Sequence, residues 1–206
     1  NNPTGGVVDE NFLIRLLEST DALVMVDEAY SEFSSYSTLP LLKKHKNLII
    51  LHTFSKAYSL AGVRMGYILA HPEVISEFLK VRQPYSVDTV SQIIARTVYE
   101  NRELFRPGID EIVAERGRVF EALQKMVGVT PYPSQANYIL FNVDCADEVW
   151  TKLYERGVLI RDFSHAPYME DCLRVSIGTR EENDTFLKNL EEIVTKDLEF
   201  RHTDPR

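Results

Sequence analysis

The stretch TFSKAYSLAGVRMGY, Thr53 to Tyr67, sets one lysine among groups that bind anions. Thr53 and Ser55 precede Lys56, the small residues Ala57, Ala61 and Gly62 follow it, and Arg64 comes eight positions later. Hydroxyls and a guanidinium are good ligands for a phosphate dianion, because arginine offers two parallel donors to its oxygens. A lysine beside such a site is placed to form a Schiff base with a cofactor aldehyde. Read alone, a lysine after a strand is a solvated charge, since lysine is seldom buried. Its neighbours shift that reading toward a nucleophile.

A second group stands about 30 residues earlier. VMVDE ends an apolar run in Asp27 and Glu28, with Tyr30 close behind. A carboxylate facing a pyridine nitrogen keeps the ring protonated and makes it a better electron sink. Tyr30 brings a phenol to the same end of the strand, or packs as an edge aromatic. VMVDE also resembles the Walker B strand of a P-loop ATPase, whose aspartate holds magnesium, although the companion GxxxxGK[ST] is absent from these residues.

The elements that must position these groups follow from hydrophobic period. Asp9 caps a helix carrying Phe12, Leu13, Leu16 and Leu17 at helical spacing, ended by Ser19-Thr20-Asp21. ALVMV, a continuous apolar run, predicts a strand covered on both faces. A helix then leads to Asn47, and LIILHT and GYILA predict two more strands, the last able to pair antiparallel. In such α/β sheets ligands bind beyond the carboxyl ends of the strands, where Asp27 and Lys56 both fall. Helical patterns follow over 74–81, 88–104 and 107–126, with Pro107-Gly108 as the internal boundary. Beyond Pro131-Tyr132-Pro133 come a strand in YILFNV, a helix over 147–156, strands in VLIR and LRVSIG, and a last helix from Arg180 with Thr179 and Glu182 as a capping box. The expected architecture is a mixed α/β sheet with flanking helices over residues 1–106 and a small α+β domain over 107–206.

Charge and composition narrow the function. A formal net charge of -8 over 206 residues argues against sequence-independent nucleic-acid binding, which needs clustered lysine and arginine. Cys145 and Cys172 form neither a CxxC pair nor a cysteine/histidine cluster, so no disulfide framework or zinc site is expected and a reducing cytoplasm fits. His45, His52, His71, His165 and His202 show no ligand spacing, and no metal is expected. The charged residues Glu111, Glu115, Arg116 and Arg118 predict a solvated helix face. No apolar run is long enough to span a bilayer.

NNPTG (1–5), DEAYSEF (27–33), TFSKAYSLAGVRMGY (53–67), QANYILF (135–141) and LRVSIGT (173–179) occur in that order. In this, almost the whole chain resembles the later part of fold-type I aminotransferases dependent on pyridoxal 5'-phosphate, most closely the histidinol-phosphate aminotransferases. The resemblance implies that Lys56 forms the internal aldimine and shuttles the α-proton, while Asp27 pairs with the pyridinium nitrogen. It assigns Asn2 and Tyr30 to the cofactor's phenolic oxygen, and Ser55 and Arg64, with Thr53, to its phosphate. The substrate-anion arginine maps to Arg174, a second arginine near the substrate phosphate to Arg161, and Asn137 lies in a segment near the active site; Asn2 also borders the substrate. The implied partners are a small amino donor and a 2-oxo acid, with active sites at the interface of a homodimer.

The favoured reaction exchanges an amino group between L-histidinol phosphate and 2-oxoglutarate. An aromatic aminotransferase or a decarboxylase of a phosphorylated amino acid would share the cofactor residues, and a Walker-type nucleotide-binding module or an interaction fragment is the reading from another class. Asn1-Asn2-Pro3-Thr4-Gly5-Gly6 reads as a turn inside a larger fold. Family members carry a preceding half with more of the sheet, a phosphate-binding turn and a ring-stacking aromatic, so these 206 residues alone are expected to be inactive or nearly so.

Overall fold

The computed structural model describes residues 1–197. The chain divides into two compact units, Val7–Ile109 and Asn1–Gly6 together with the residues from Asp110 onward. The first six residues therefore belong with the C-terminal unit. Pro107 and Gly108 lie in the opening turn of a helix, where the missing proline N–H costs nothing.

In the first unit, α1 (Glu10–Ser19) starts at Asp9, whose side chain accepts from the Phe12 N–H at 2.8 Å. Leu13 and Leu17 of α1 pack with Leu41, Leu48 and Ile50 in one apolar cluster. The sheet runs β1 (Val24–Asp27), β2 (Leu48–Thr53), β3 (Gly66–Ala70), with β1 and β2 parallel and β2 and β3 antiparallel. Asn47 ties this layer together, its side-chain amide reaching the carbonyls of Leu17, Thr20 and Ala22 at 3.0–3.3 Å. Helices α2 (Pro72–Val81) and α3 (Thr89–Glu100) complete the unit.

Among the described residues β1 has a strand partner on one side only, and Met25 is 54% exposed. Two expectations fail here. The segment before Asn47 is not an α-helix but two short 3₁₀ turns, Ser31–Phe33 and Leu39–Lys43. Its serines bond to the backbone instead, as when Ser34 Oγ accepts from the Tyr36 N–H at 3.0 Å, and Pro40 withholds a donor. The helix expected to reach residue 104 stops at Glu100, and a separate 3₁₀ turn follows over Arg102–Phe105.

Gly66 is required by close backbone approach. A Cβ there would stand 2.7 Å from the His52 carbonyl oxygen on β2, with no flexible side chain to give way. Gly66→Ala is expected to destabilise this unit by about 1–3 kcal/mol, the range of overpacking. Denaturant unfolding checks this, and an unchanged midpoint would contradict it.

The second unit is built on a four-stranded antiparallel sheet in the order β4 (Val129–Pro131), β5 (Tyr138–Val143), β7 (Cys172–Ser176), β6 (Arg161–Asp162). Helices α4 (Arg106–Gln124), α5 (Ala146–Glu155) and α6 (Arg180–Glu192) supply Leu123, Leu153 and Leu190 to a core with Ile139, Phe141 and Leu173. A π-turn follows over Ile193–Asp197. The capping box at Thr179 and Glu182 is present.

VLIR gives only the start of β6, because Val158 is used to close α5. Gly157 takes a left-handed φ of 79°, and the Val158 N–H donates to Leu153 O at 2.8 Å. β4, ended by prolines, had no sequence signal of its own.

The charged face of α4 is not simply solvated. Glu115 is 7% exposed and accepts from Arg118 at 2.6 and 2.9 Å and from Asn183 of α6 at 2.9 Å. Arg116 donates to Ala136 O at 2.8 Å. The Arg118 guanidinium holds the Glu115 carboxyl at about 2, below its ordinary 4.5. A depressed carboxyl stabilises fully above its unfolded value and loses that contribution as pH falls toward the folded one. The stability gap between the native protein and Glu115→Gln is therefore expected to be about 2 kcal/mol near neutrality. It should close between pH 4.5 and 2. Thermal melts across pH test this, and a gap that persists in acid would contradict it.

Candidate active site

In the first unit the expected residues converge at the carboxyl ends of β1 and β2. Asp27 is the last residue of β1 and pairs in register with Leu51 of β2, five residues before Lys56. The Glu28 N–H continues this pairing onto Leu51 O at 2.9 Å. Asp27 Oδ1 accepts from the Ala29 N–H at 2.9 Å, which orients the exposed carboxylate. Lys56 Nζ lies 5.5 Å from the centroid of the Tyr30 ring. Carboxylate and phenol thus come from the end of one strand and the amine from beyond the end of its neighbour, although Lys56 is more than 25 residues away in sequence.

The anion-binding groups sort themselves by hydrogen bonding. Thr53 Oγ1 accepts from the Ser55 N–H at 3.1 Å and lies within donating distance of Ser55 Oγ, 2.9 Å, and Met65 O, 3.3 Å. Thr53 therefore braces the loop, and when it donates to Ser55 Oγ the Ser55 hydroxyl proton is left for an anion. Arg64 caps a 3₁₀ turn, Ala61–Val63, in the left-handed conformation, with φ 57° and one donation to Ala61 O at 2.9 Å. Its remaining donors are on an exposed guanidinium. One amine, one carboxylate, a free-donating hydroxyl and a guanidinium form a donor set that suits a phosphorylated pyridine aldehyde.

In the second unit Asn2 and Arg174 meet. Arg174 donates to Asn2 Oδ1 at 2.5 Å, and its guanidinium stacks 4.7 Å from the Tyr138 ring centroid and 5.4 Å from that of Phe163. The Tyr138 hydroxyl donates to Asn1 O, fastening the N-terminal turn to β5. Arg174 Nε is buried and has no partner among the described residues, a donor held ready for a further acceptor. Arg161 is the register partner of Arg174 across β6 and β7, and both line one cavity. Asn137 precedes β5, and its carbonyl accepts from the Ile177 N–H at 2.9 Å.

Tyr138 and Phe163 escaped the sequence reading as site residues. Tyr138 sits within QANYILF, where its apolar character made it look like core. Asp162 and His165, three residues apart, and Asp147, 15 residues before Asp162, bring one potential ligand atom each to within 4.8 Å of one another, with His165 81% exposed. His202 lies outside the described residues.

A family model described as aminotransferase class I and II matches residues 1–190, and the chain belongs to that family, whose members depend on pyridoxal phosphate. Curated relatives named histidinol-phosphate aminotransferase are 37–45% identical to it. One, histidinol-phosphate aminotransferase 1 of Carboxydothermus hydrogenoformans, is 45% identical over 94% of this chain and 55% of its own length. Solved structures similar to it include histidinol-phosphate aminotransferase from Sinorhizobium meliloti in complex with pyridoxal-5'-phosphate, with a TM-score of 0.80 and 26% identity over 94% of this chain and 55% of that one. L-threonine-O-3-phosphate decarboxylase from Porphyromonas gingivalis matches with a TM-score of 0.83 and 27% identity over 95% and 62%. The chain spans a little over half the length of the curated relatives it matches. Among the described residues no helix is long and apolar enough to cross a membrane.

Proposed function

We propose that this chain is part of a pyridoxal-phosphate-dependent aminotransferase that exchanges an amino group between L-histidinol phosphate and 2-oxoglutarate, a step of histidine biosynthesis. The observation that carries this reading is the convergence of Asp27, Tyr30 and Lys56 at the ends of two parallel strands. It occurs in a chain up to 45% identical to proteins of that name.

When bound, the cofactor supplies an aldehyde for the amino group and a protonated ring that draws off the electron pair of the α-carbon. The Lys56 amine would hold that aldehyde and, when free, would be the base that takes the α-proton and later returns one. Asp27 keeps a proton on the ring nitrogen by charge. Asn2 and Tyr30 donate to the phenolic oxygen. Ser55 and Arg64 hold the phosphate, with Thr53 bracing Ser55. Arg174 binds the substrate anion, with Arg161 assigned to the substrate phosphate and Asn137 beside them. The donor leaves as a ketone and 2-oxoglutarate as glutamate. The same reading makes the whole protein a cytoplasmic homodimer with small-molecule partners only.

The likeness to a phosphothreonine decarboxylase favours one second reading, loss of carbon dioxide from a phosphorylated amino acid. A substrate panel on the longest natural chain containing these residues separates the two. Glutamate formation from histidinol phosphate and 2-oxoglutarate, faster than from phenylalanine and with no carbon dioxide from phosphothreonine, is the expected result. Carbon dioxide release without glutamate would overturn the proposal.

A further inference from the structure

We infer that His52, held between Glu28 and Glu32, is a positioning residue that fixes the turn carrying Tyr30 against the end of β2, four residues before Lys56. The inference rests on the reading of Tyr30 and Lys56 given above.

Glu28 directly follows Asp27, and its carboxylate is the anchor. It accepts from the Thr38 N–H at 2.5 Å, Thr38 Oγ1 at 2.7 Å and Ser37 Oγ at 3.1 Å, and it is 8% exposed. His52 Nε2 lies 3.1 Å from it, a close ion pair rather than an aligned hydrogen bond. On the other edge of the ring, Nδ1 lies 3.8 Å from Glu32 and 3.4 Å from Ser31 Oγ. The imidazole thus touches three side chains of the segment 28–32 at once. Its face stacks on Tyr67, its register partner in β3, at 5.2 Å and 12°.

The side chains of His52, Glu28 and Glu32 are 13%, 7% and 15% exposed. Two carboxylates so little hydrated need a cation between them, since a buried charge left unpaired is costly. Glu28, then Glu32, raise the imidazole to about 9 against the opposing effect of burial, so it is charged at neutral pH. The other titratable group against it is Tyr67, pushed up to about 12 by burial first and then by Glu32, Tyr58 and Tyr99, with Arg102 opposing. None of these supplies a cation in contact with both carboxylates.

The turn so gripped is small. Ser31 N–H donates to Glu28 O, Phe33 N–H to Tyr30 O and Ser34 N–H to Ser31 O, all at 2.9–3.1 Å, and Phe33 is buried. Tyr30 sits inside it and is thereby held with its ring near Lys56. A neutral residue at position 52 leaves Glu32 facing Glu28 without compensation, and the outer carboxylate, with its turn, moves toward water.

The test compares the native protein with His52→Gln, Glu32→Gln and the charge-retaining His52→Arg. Amide exchange is read at Ser31, Phe33 and Ser34 against the amides of β2, and added pyridoxal phosphate is followed by the pH titration of its visible absorbance on Lys56. In His52→Gln the turn amides are expected to lose protection roughly tenfold more than β2, a local rather than global opening. The absorbance titration should shift, and His52→Arg should restore both. In the native protein turn protection should fall as pH rises through about 9, and in His52→Arg it should not. If His52→Gln does not fold, Glu32→Gln must show the same selective loss. Equal losses in turn and β2, or a turn unaffected by either variant, overturn the inference. A native protein that takes up no cofactor contradicts the proposed function instead, and the exchange comparison still decides the role of His52.

Discussion

Lys56→Ala is expected to lower transamination by about 10³-fold or more, because proton transfer by a positioned base alone contributes about 10²–10⁴-fold. The variant also removes the amine that holds the cofactor aldehyde, so visible absorbance on adding pyridoxal phosphate should be lost with it. Folding should be little affected, since Lys56 is exposed and lies beyond the end of β2. Lys56→Arg sharpens the point. Arginine retains the cation over the Tyr30 ring, but its guanidinium stays protonated and is neither nucleophile nor base at neutral pH. If charge near Tyr30 were the role of Lys56, Lys56→Arg would keep activity; if the amine is the role, it will be as inactive as alanine. Steady-state kinetics with matched melting curves decide between them.

Arg174→Ala is expected to raise the KM for the anionic substrate by roughly 10²–10⁴-fold, since hydrogen bonds to charged groups contribute about 1.5–3 kcal/mol each and a guanidinium offers two. The structure explains why the loss should be specific. Arg174 is held by Asn2 and sandwiched near Tyr138 and Phe163, which fix the fork while leaving buried Nε without a partner among the described residues. Arg174→Lys keeps the charge but loses the planar fork and should fall between native and alanine. Steady-state kinetics at varied 2-oxoglutarate provide the measurement. An unchanged KM in Arg174→Ala would remove this residue from the substrate site.

The parts of the fold legible in sequence were those with one dominant signal. LIILHT became β2 residue for residue, because a short apolar run of Leu and Ile that ends in a polar His and a β-branched Thr has few other homes. The caps at Asp9 and Thr179 were readable because each satisfies an otherwise orphaned helix N–H. The meeting of Asp27 and the segment that leads to Lys56 at the carboxyl ends of adjacent parallel strands was expected from topology.

What escaped depended on tertiary context. Glu115 reads like any helix-surface acid until Asn183, 68 residues later, closes over it. His52 has no ligand spacing in sequence, yet two carboxylates reach it through a segment that was expected to be a helix and folds as a 3₁₀ turn. Each of these groups gains its role from a partner that sequence distance conceals.

The central claim is that Lys56 is the residue that holds the cofactor. The direct measurement is borohydride reduction after incubation of the longest natural chain containing these residues with pyridoxal phosphate, followed by peptide mass spectrometry. The account predicts one stoichiometric adduct, on the peptide containing Lys56. An adduct spread over surface lysines such as Lys43, Lys44 and Lys46, or no adduct at all, would contradict it.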